Sequence, residues 1–352
     1  MRTFEANLAN INTSVNDALK KLDDLGSDAI LFIIDDNIRL LGSLTDGDLR
    51  RGFIKGLTLH DELSKFMQTR TKYIEKGNYD LNELLKLREN LYQVIPIVNG
   101  DKQIINIINF RYKKSYLPID AVIMAGGRGE RLRPLTDILP KPLLKVGSKP
   151  IIEHNIDRLS AYGIEDIWIS LKYLGEKIQE YFKDGSPKSL KIDYVWEEKP
   201  LGTAGAISLI NNFKHDHVLL MNSDLLTNID FEEFFIYFQS QNADFAVACI
   251  PYEVSIPYAV MEIDGKTITG FKEKPSHTHY INAGIYLMKR EITNLIPDNS
   301  FYNATDLMED LIRDGKKVIS YPLIGYWLDI GKHEDYKRAQ IDIESLKLIP
   351  LE

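Results

Sequence analysis

A chain of 352 residues, 44% hydrophobic and 27% charged, is long enough for two ordinary cores of roughly 150 residues each. Its net charge of −8 leaves no broad basic face for nucleic acid or anionic lipid, so an anionic ligand must be gripped by a local cluster of cations. The single Cys249 allows no disulfide within the chain, no run approaches the ~20 apolar residues of a membrane span, and the start Met1-Arg-Thr-Phe lacks a signal-peptide apolar region; a cytoplasmic location is expected.

In chain order, the first 115 residues repeat themselves at a spacing of 64. Leu31-Phe-Ile-Ile-Asp-Asp-Asn-Ile-Arg-Leu-Leu-Gly aligns with Ile95-Pro-Ile-Val-Asn-Gly-Asp-Lys-Gln-Ile-Ile-Asn, each reading strand, turn, strand. A helical pattern precedes each copy, Val15–Leu22 behind a Thr/Ser cap and Leu81–Leu87. Units this thin cannot bury a core alone, so copies at about 1–60 and 61–115 are expected to pack together as one α+β domain. The first copy continues Gly42-Ser-Leu-Thr-Asp-Gly-Asp-Leu-Arg-Arg, which resembles the end of a cystathionine-β-synthase (CBS) module. The resemblance implies a CBS pair in which the Thr45 hydroxyl meets phosphate at a helix start and Asp48 accepts from ribose hydroxyls of a regulatory nucleotide. Asn109 and Tyr112 replace them in the second copy. The competing reading makes Thr45 and Asp48 a helix cap and the pair a dimerisation platform.

After a connector, Arg111–Pro118, comes the strand pattern Ile119–Met124 and then Ala125-Gly-Gly-Arg-Gly-Glu-Arg-Leu-Arg-Pro-Leu-Thr. Gly126, Gly127 and Gly129 let backbone N–H groups approach an anion with no Cβ in the way, and Arg131 stands beside them. A dinucleotide fingerprint is excluded by Leu132 at its third small position and by Pro134; a Walker loop is excluded because Gly-Lys-Ser/Thr is absent. The string, followed by Lys141-Pro142, resembles the signature of the sugar-phosphate nucleotidyltransferases.

From there apolar and amphipathic runs alternate: helix at Ile151–Tyr162, strand at Ile167–Leu171, helix at Gly175–Phe182, strand at Leu190–Trp196. Helix at Gly202–Ile210, strand at His217–Asn222, helix at Phe231–Gln241 and strand at Ala243–Ile250 follow. Alternation of this kind predicts an α/β domain over 116–352, Rossmann-like with a mostly parallel sheet, and ligands beyond the carboxyl ends of its strands. The resemblance makes it the GT-A-like nucleotidyltransferase fold.

Two aspartates fit that edge: Asp224 after Val218–Ser223, and Asp329 in Tyr326-Trp-Leu-Asp-Ile-Gly. Two converging carboxylates can hold Mg²⁺ against phosphate oxygens, and in the resembled family these positions are the metal ligands. The resemblance further implies that Lys274 of Glu273-Lys274-Pro275 binds the sugar phosphate, Glu273 a sugar hydroxyl, and Asn282 and Gly284 of Asn-Ala-Gly line the sugar pocket. Trp196-Glu-Glu-Lys-Pro-Leu-Gly-Thr-Ala-Gly resembles the base segment of the guanylyl-transferring branch. There Gly202 and Gly205 let a planar base lie on the backbone, Thr203 belongs to the nucleotide site, and Glu197 or Glu198 would accept from guanine N1–H and N2–H.

The expected activity is therefore Mg²⁺-dependent transfer of GMP from GTP to a sugar-1-phosphate, with Ala125–Gly129, Arg131 and Lys141 at the triphosphate. A CBS pair joined to such a domain resembles the guanylyltransferases of bacterial nonulosonate (legionaminic acid) synthesis, which act on glucosamine-1-phosphate and serve surface glycans. Mannose- and heptose-1-phosphate stay open as substrates, as does a non-catalytic nucleotide sensor. A homo-oligomer through either domain is expected. No hexapeptide repeats follow Asp329, so acetyl transfer is not expected.

Overall fold

The computed structural model describes residues 4–77 and 79–348; Met1–Thr3, on which part of the leader reading rests, lie outside them. The chain divides into two compact units, one of residues up to Leu117 with Ala161–Gly163, the other of the remainder from Pro118. No helix among the described residues is long and apolar enough to cross a membrane.

The first unit runs β1 (Leu8–Asn10), α1 (Val15–Leu25), β2 (Ile30–Ile34), β3 (Leu40–Thr45), α2 (Asp46–Ile54), then β4 (Ile74–Glu75), α3 (Leu81–Glu89), β5 (Val94–Val98) and β6 (Ile104–Asn109). Each copy makes a three-stranded sheet whose first pair is parallel and second antiparallel. The spacing of 64 reappears in the hydrogen bonds. Leu40 N donates to Lys102 O at 2.9 Å and Ile104 N to Ile38 O at 3.0 Å, around an antiparallel bridge between Arg39 and Gln103. Within each turn Asp35 Oδ1 accepts from Arg39 N, and Asn99 Oδ1 from Gln103 N, both at 2.9 Å. The copies are thus related by a local two-fold axis, and they share apolar burial through Leu8, Phe32, Val94, Val98 and Ile104.

The second unit runs β7 (Ile119–Met124), β8 (Lys145–Val146), β9 (Lys149–Pro150), α4 (Ile151–Ala161), β10 (Asp166–Leu171), α5 (Gly175–Phe182) and β11 (Lys191–Trp196). It continues through β12 (His217–Asn222), β13 (Leu225–Thr227), α6 (Phe231–Ser240), β14 (Phe245–Ser255), β15 (Val260–Asp264) and β16 (Thr267–Lys272). It closes with β17 (Ser276–Lys289), α7 (Ala304–Arg313), β18 (Val318–Pro322), β19 (Trp327–Asp329) and α8 (His333–Asp342). Seven strands form the main sheet in the order β11-β10-β7-β12-β17-β14-β18, parallel except for β17. Fully buried Ala121, Val122 and Ile123 of β7, at the sheet's centre, show why this strand reads as a continuous apolar run.

Two elements depart from the sequence reading. Gly202–Ile210 is not an α-helix; only a 3₁₀ turn, Gly205–Leu209, forms. Gly202 adopts φ +76°, and the main chain around it is tied to another segment: Tyr302 N donates to Leu201 O, and Ala204 N and Gly205 N to Tyr302 O. Those bonds replace the helical ladder. The second departure is β14, which runs on to Ser255 paired with β17 as far as Ser276, well past Met221–Ile285, where the β12–β17 ladder ends. The result is an exposed arm, 251–280, carrying the β15–β16 hairpin.

Candidate active site

At the carboxyl edge of β7 and β12 lies a cavity of about 940 Å³ whose wall includes Gly126–Arg131, Lys141, Lys172, Glu197, Gly202, Thr203, Asn222, Asp224 and Gly331. Its floor is the glycine loop. Ala125 is buried and its N–H donates to Ser170 O at 3.0 Å, which aligns the loop with the end of β10. Gly127 is exposed with open space where a Cβ would stand. Gly129 adopts φ +62°, and a Cβ there would stand 2.9 Å from Lys141 Cβ, so both backbone and space require glycine. Buried Thr136 completes the loop by donating from Oγ1 to Gly129 O at 2.9 Å. Arg131 sits on the 3₁₀ turn Glu130–Leu132, its guanidinium 3.1–3.3 Å from where a Cβ on Gly331 would be; the glycine of Trp-x-Asp-x-Gly makes room for the arginine of the loop motif.

Asp224 and Asp329 are brought together by the two-stranded β13–β19 ladder, in which Leu225 faces Asp329 and Ile330 N donates to Asp224 O at 3.0 Å. From α4, buried Asn155 fastens this corner by donating to Leu225 O at 2.9 Å. Lys141, almost fully buried, forms an ion pair with Asp224 Oδ2 and stands 3.9 Å from Asp329 Oδ1. One lysine serves two carboxylates. The Oδ1 atoms of both aspartates are buried without a hydrogen-bond partner. Burial and the neighbouring Asp224 charge push the Asp329 carboxyl above its ordinary range, against the opposing charges of Lys141 and Arg131. Among the described residues no set of three or more His, Cys, Asp or Glu could enclose a metal. Two orphaned carboxylate oxygens beside a phosphate cradle fit a hard divalent cation that takes its other ligands from phosphate and water.

The segment 197–203 forms another wall. Ser170 Oγ donates to Glu197 Oε1 and Leu201 N to Oε2 at 3.0 Å, while Lys172 Nζ donates to Glu197 O at 3.1 Å and Glu198 O at 2.7 Å. Thr203 N is held by Asn303 Oδ1 at 3.4 Å, and Thr203 Oγ1 accepts from Ala304 N at 2.9 Å, so its hydroxyl serves the start of α7. Ser170, Lys172, Asn155, Asn222 and Asn303 are absent from the sequence reading; each is an ordinary polar residue whose role is set by a partner distant in sequence.

On the sugar side, Gly284, at φ +70°, backs onto Asn222 of the cavity wall, and Asn282 donates to Tyr286 Oη at 2.8 Å; neither belongs to the cavity lining itself. Glu273 and Lys274 do not join the cavity lining: they are exposed on the arm, because the continued β14–β17 pairing carries the β16–β17 connection outward. At Thr45 and Asp48 the structure shows the helix cap. Thr45 caps α2, and Asp48, almost fully buried, accepts from Thr45 N at 2.9 Å, Thr45 Oγ1 at 2.6 Å, Arg51 at 2.6 Å and Gln68 at 2.8 Å. Burial raises its carboxyl, but hydrogen bonds from Thr45, Gln68 and Arg51 outweigh that and hold it below the usual range. Four internal donors leave it no call for ribose hydroxyls.

A mostly parallel α/β sheet with a glycine loop, two edge carboxylates and adjacent cations defines a phosphate-handling fold. The sequence profile of the nucleotidyl transferase family matches residues 120–345, and the chain belongs to that family. It is 32% identical over 231 residues to the mannose-1-phosphate guanylyltransferase of Mycobacterium tuberculosis, covering 64% of each chain. It is 34% identical over 230 residues to the bifunctional protein GlmU of Methanococcus maripaludis, covering 63% of this chain and 53% of that one. The match spans less than two thirds of either relative. The structure resembles that of HddC from Yersinia pseudotuberculosis, crystallised with GMP-PN, with a TM-score of 0.50 and 26% identity, over 64% of this chain and 99% of that one.

Proposed function

We propose that the second unit transfers GMP from GTP to a sugar-1-phosphate, releasing pyrophosphate. The carrying observation is the pair Asp224 and Asp329, each with an unpartnered buried oxygen, set beside Lys141, Arg131 and the glycine loop. A phosphate oxygen of the sugar-1-phosphate attacks the α-phosphorus in line, and the β-phosphate oxygen leaves with its electron pair; the nucleophile is already anionic, so no side-chain base is required. The N–H groups of Gly126–Gly129 and the Arg131 guanidinium hold the leaving phosphates, and Lys141 turns from Asp224 toward the triphosphate. Asp224 and Asp329 would hold Mg²⁺, which supplies charge neutralisation at the α-phosphate. Glu197 and Gly202 form the base wall. The match to a guanylyltransferase and the likeness to a structure bearing GMP-PN support guanine there. On the sugar side, Asn282 and Gly284 would line the sugar pocket and Lys274 would bind the sugar phosphate; the motifs that carry them support these roles.

Residues 4–117 we read as a CBS pair; the doubled strand-helix-strand-strand order and the reciprocal bonds about Arg39 and Gln103 support this. The saturated Asp48 favours a platform over a nucleotide pocket. The test is pyrophosphate release on mixing the full chain with Mg²⁺, each of GTP, UTP, dTTP, CTP and ATP, and a panel of mannose-, glucosamine-, glucose- and heptose-1-phosphates. Release with GTP at least tenfold faster than with the others is expected; equal rates with UTP would overturn the base assignment.

A further inference from the structure

We infer that Ser170 is a positioning residue for base recognition: its hydroxyl orients the Glu197 carboxylate, so that nucleotide choice is governed in part from the end of β10. The inference rests on the reading of 197–203 as the base wall. Ser170 is fully buried at the end of β10, and its Oγ donates to Glu197 Oε1, 27 positions away. Leu201 N holds the other oxygen at 3.0 Å. The carboxylate is therefore gripped at both atoms. Its place is also fixed from the phosphate side, because a Cβ on Gly126 would stand only 2.8 Å from Oε1. Glu197 thus lies directly against the glycine loop, and Ser170 reaches the same loop through its carbonyl, which accepts from Ala125 N at 3.0 Å. Two residues on, along the same face of the strand exit, Lys172 Nζ pins the carbonyls of Glu197 and Glu198.

A carboxylate has about four lone-pair sites, so two internal donors leave acceptor capacity for a base edge while removing the side chain's rotational freedom. A carboxylate held in this way meets guanine's paired N1–H and N2–H without paying to order itself at binding. Uracil, whose Watson–Crick edge shows one donor between two acceptors, gains less from the same orientation. Loss of the Ser170 hydroxyl should therefore weaken GTP selectively, and leave turnover of bound GTP alone.

The experiment is calorimetric titration of the full chain with GTP and with UTP in Mg²⁺, for wild type, Ser170→Ala, Ser170→Thr and Glu197→Gln, alongside kcat and KM with the sugar phosphate that the wild type uses. Ser170→Ala is expected to weaken GTP about tenfold and UTP less than twofold, to raise KM for GTP with kcat at saturation retained, and to be rescued by Ser170→Thr. A Ser170→Ala protein that binds GTP as the wild type does, while Glu197→Gln does not, overturns the role of Ser170 and leaves the base wall standing. Equal weakening of GTP and UTP overturns it as well, since that marks collapse of the wall. If Glu197→Gln itself binds GTP normally, the reading of the base wall fails, and the proposal with it.

Discussion

Two pairs of aspartates stand toward opposite ends of the main sheet, one pair buried and the other half-buried. At the amino-terminal edge, Asp120 of β7 lies directly across from Asp166 of β10, and the chain supplies its own counter-charges. Asp120 Oδ2 accepts from Lys214 N at 2.9 Å and His215 N at 2.7 Å, Asp166 Oδ1 is paired with Lys214 Nζ, and Asp166 Oδ2 lies 3.4 Å from His215 Nε2. At the carboxyl-terminal edge, Asp224 and Asp329 share one lysine, and an oxygen of each has no hydrogen bond. The pKa directions separate Asp166 from Asp329, whereas Asp120, raised by burial and with an unpartnered Oδ1, goes the way of Asp329. Burial raises Asp166, yet His215 and Lys214 outweigh it and hold the carboxyl at about 2; Asp329 is pushed up by burial and by Asp224. Similar groups in one sheet thus serve different ends. Asp166 is neutralised from within by Lys214 and supports the fold, while Asp224 and Asp329 share one lysine where a cation with its phosphates can complete them.

The largest effect should come from neutralising the second pair. Asp224→Asn and Asp329→Asn are each expected to lower kcat by about a hundredfold, because metal-borne charge counts most in the transition state, with thermal unfolding unchanged or raised as repulsion is relieved. Stopped assays and calorimetric melting on the same samples would check both halves; near-normal turnover at saturating Mg²⁺ would erase the contrast between the edges. Asp166→Asn should do the reverse, costing about 2 kcal/mol of stability with kcat retained within about twofold. The sign follows from a folded-state carboxyl at about 2 against an ordinary 3.8: the contribution is present above pH ~4 and lost as pH falls from there through 2, so urea titrations of wild type and variant should converge in acid.

A second satisfied carboxylate, in addition to Asp166, sharpens the comparison. Asp48→Ala removes the acceptor of four donors and should cost about 1.5 kcal/mol, with activity of the full chain unchanged and no heat on titration with AMP, ADP, ATP, GDP or GTP. Nucleotide binding that vanishes in this variant would restore the pocket reading. The smallest effect belongs to a cation outside both pairs: Lys274→Ala should raise KM for the sugar phosphate about tenfold, worth about 1.4 kcal/mol, with KM for GTP unmoved. An unchanged KM would confine the arm to a structural role.

Much of the molecule is legible from the chain alone because its signals are local. β7, β10, β11, β12 and α4–α6 are apolar runs or amphipathic periods, and the glycine loop announces itself by residue types that backbone geometry demands. The repeat, too, is legible down to single bonds, since Ile38 and Lys102, at equivalent positions, share a left-handed φ of +62° and +59°. Gly202–Ile210 deceived because its helical pattern competes with main-chain bonds to Tyr302, a hundred residues away.

The chain by itself determined the fold class, the repeat and the family of the second unit, and it singled out the glycine loop, Asp224 and Asp329, because each rests on residue type and spacing along one segment. Only the tertiary structure decided that one lysine spans both aspartates, that Ser170 and Lys172 hold Glu197, that Asp48 is occupied by Thr45, Arg51 and Gln68, and that Lys274 rides on an exposed arm. The physical reason is common to all four. Whether a polar atom is satisfied depends on which distant partners the packed chain delivers within about 3 Å of it, and that is a property of the assembled sheet and loops.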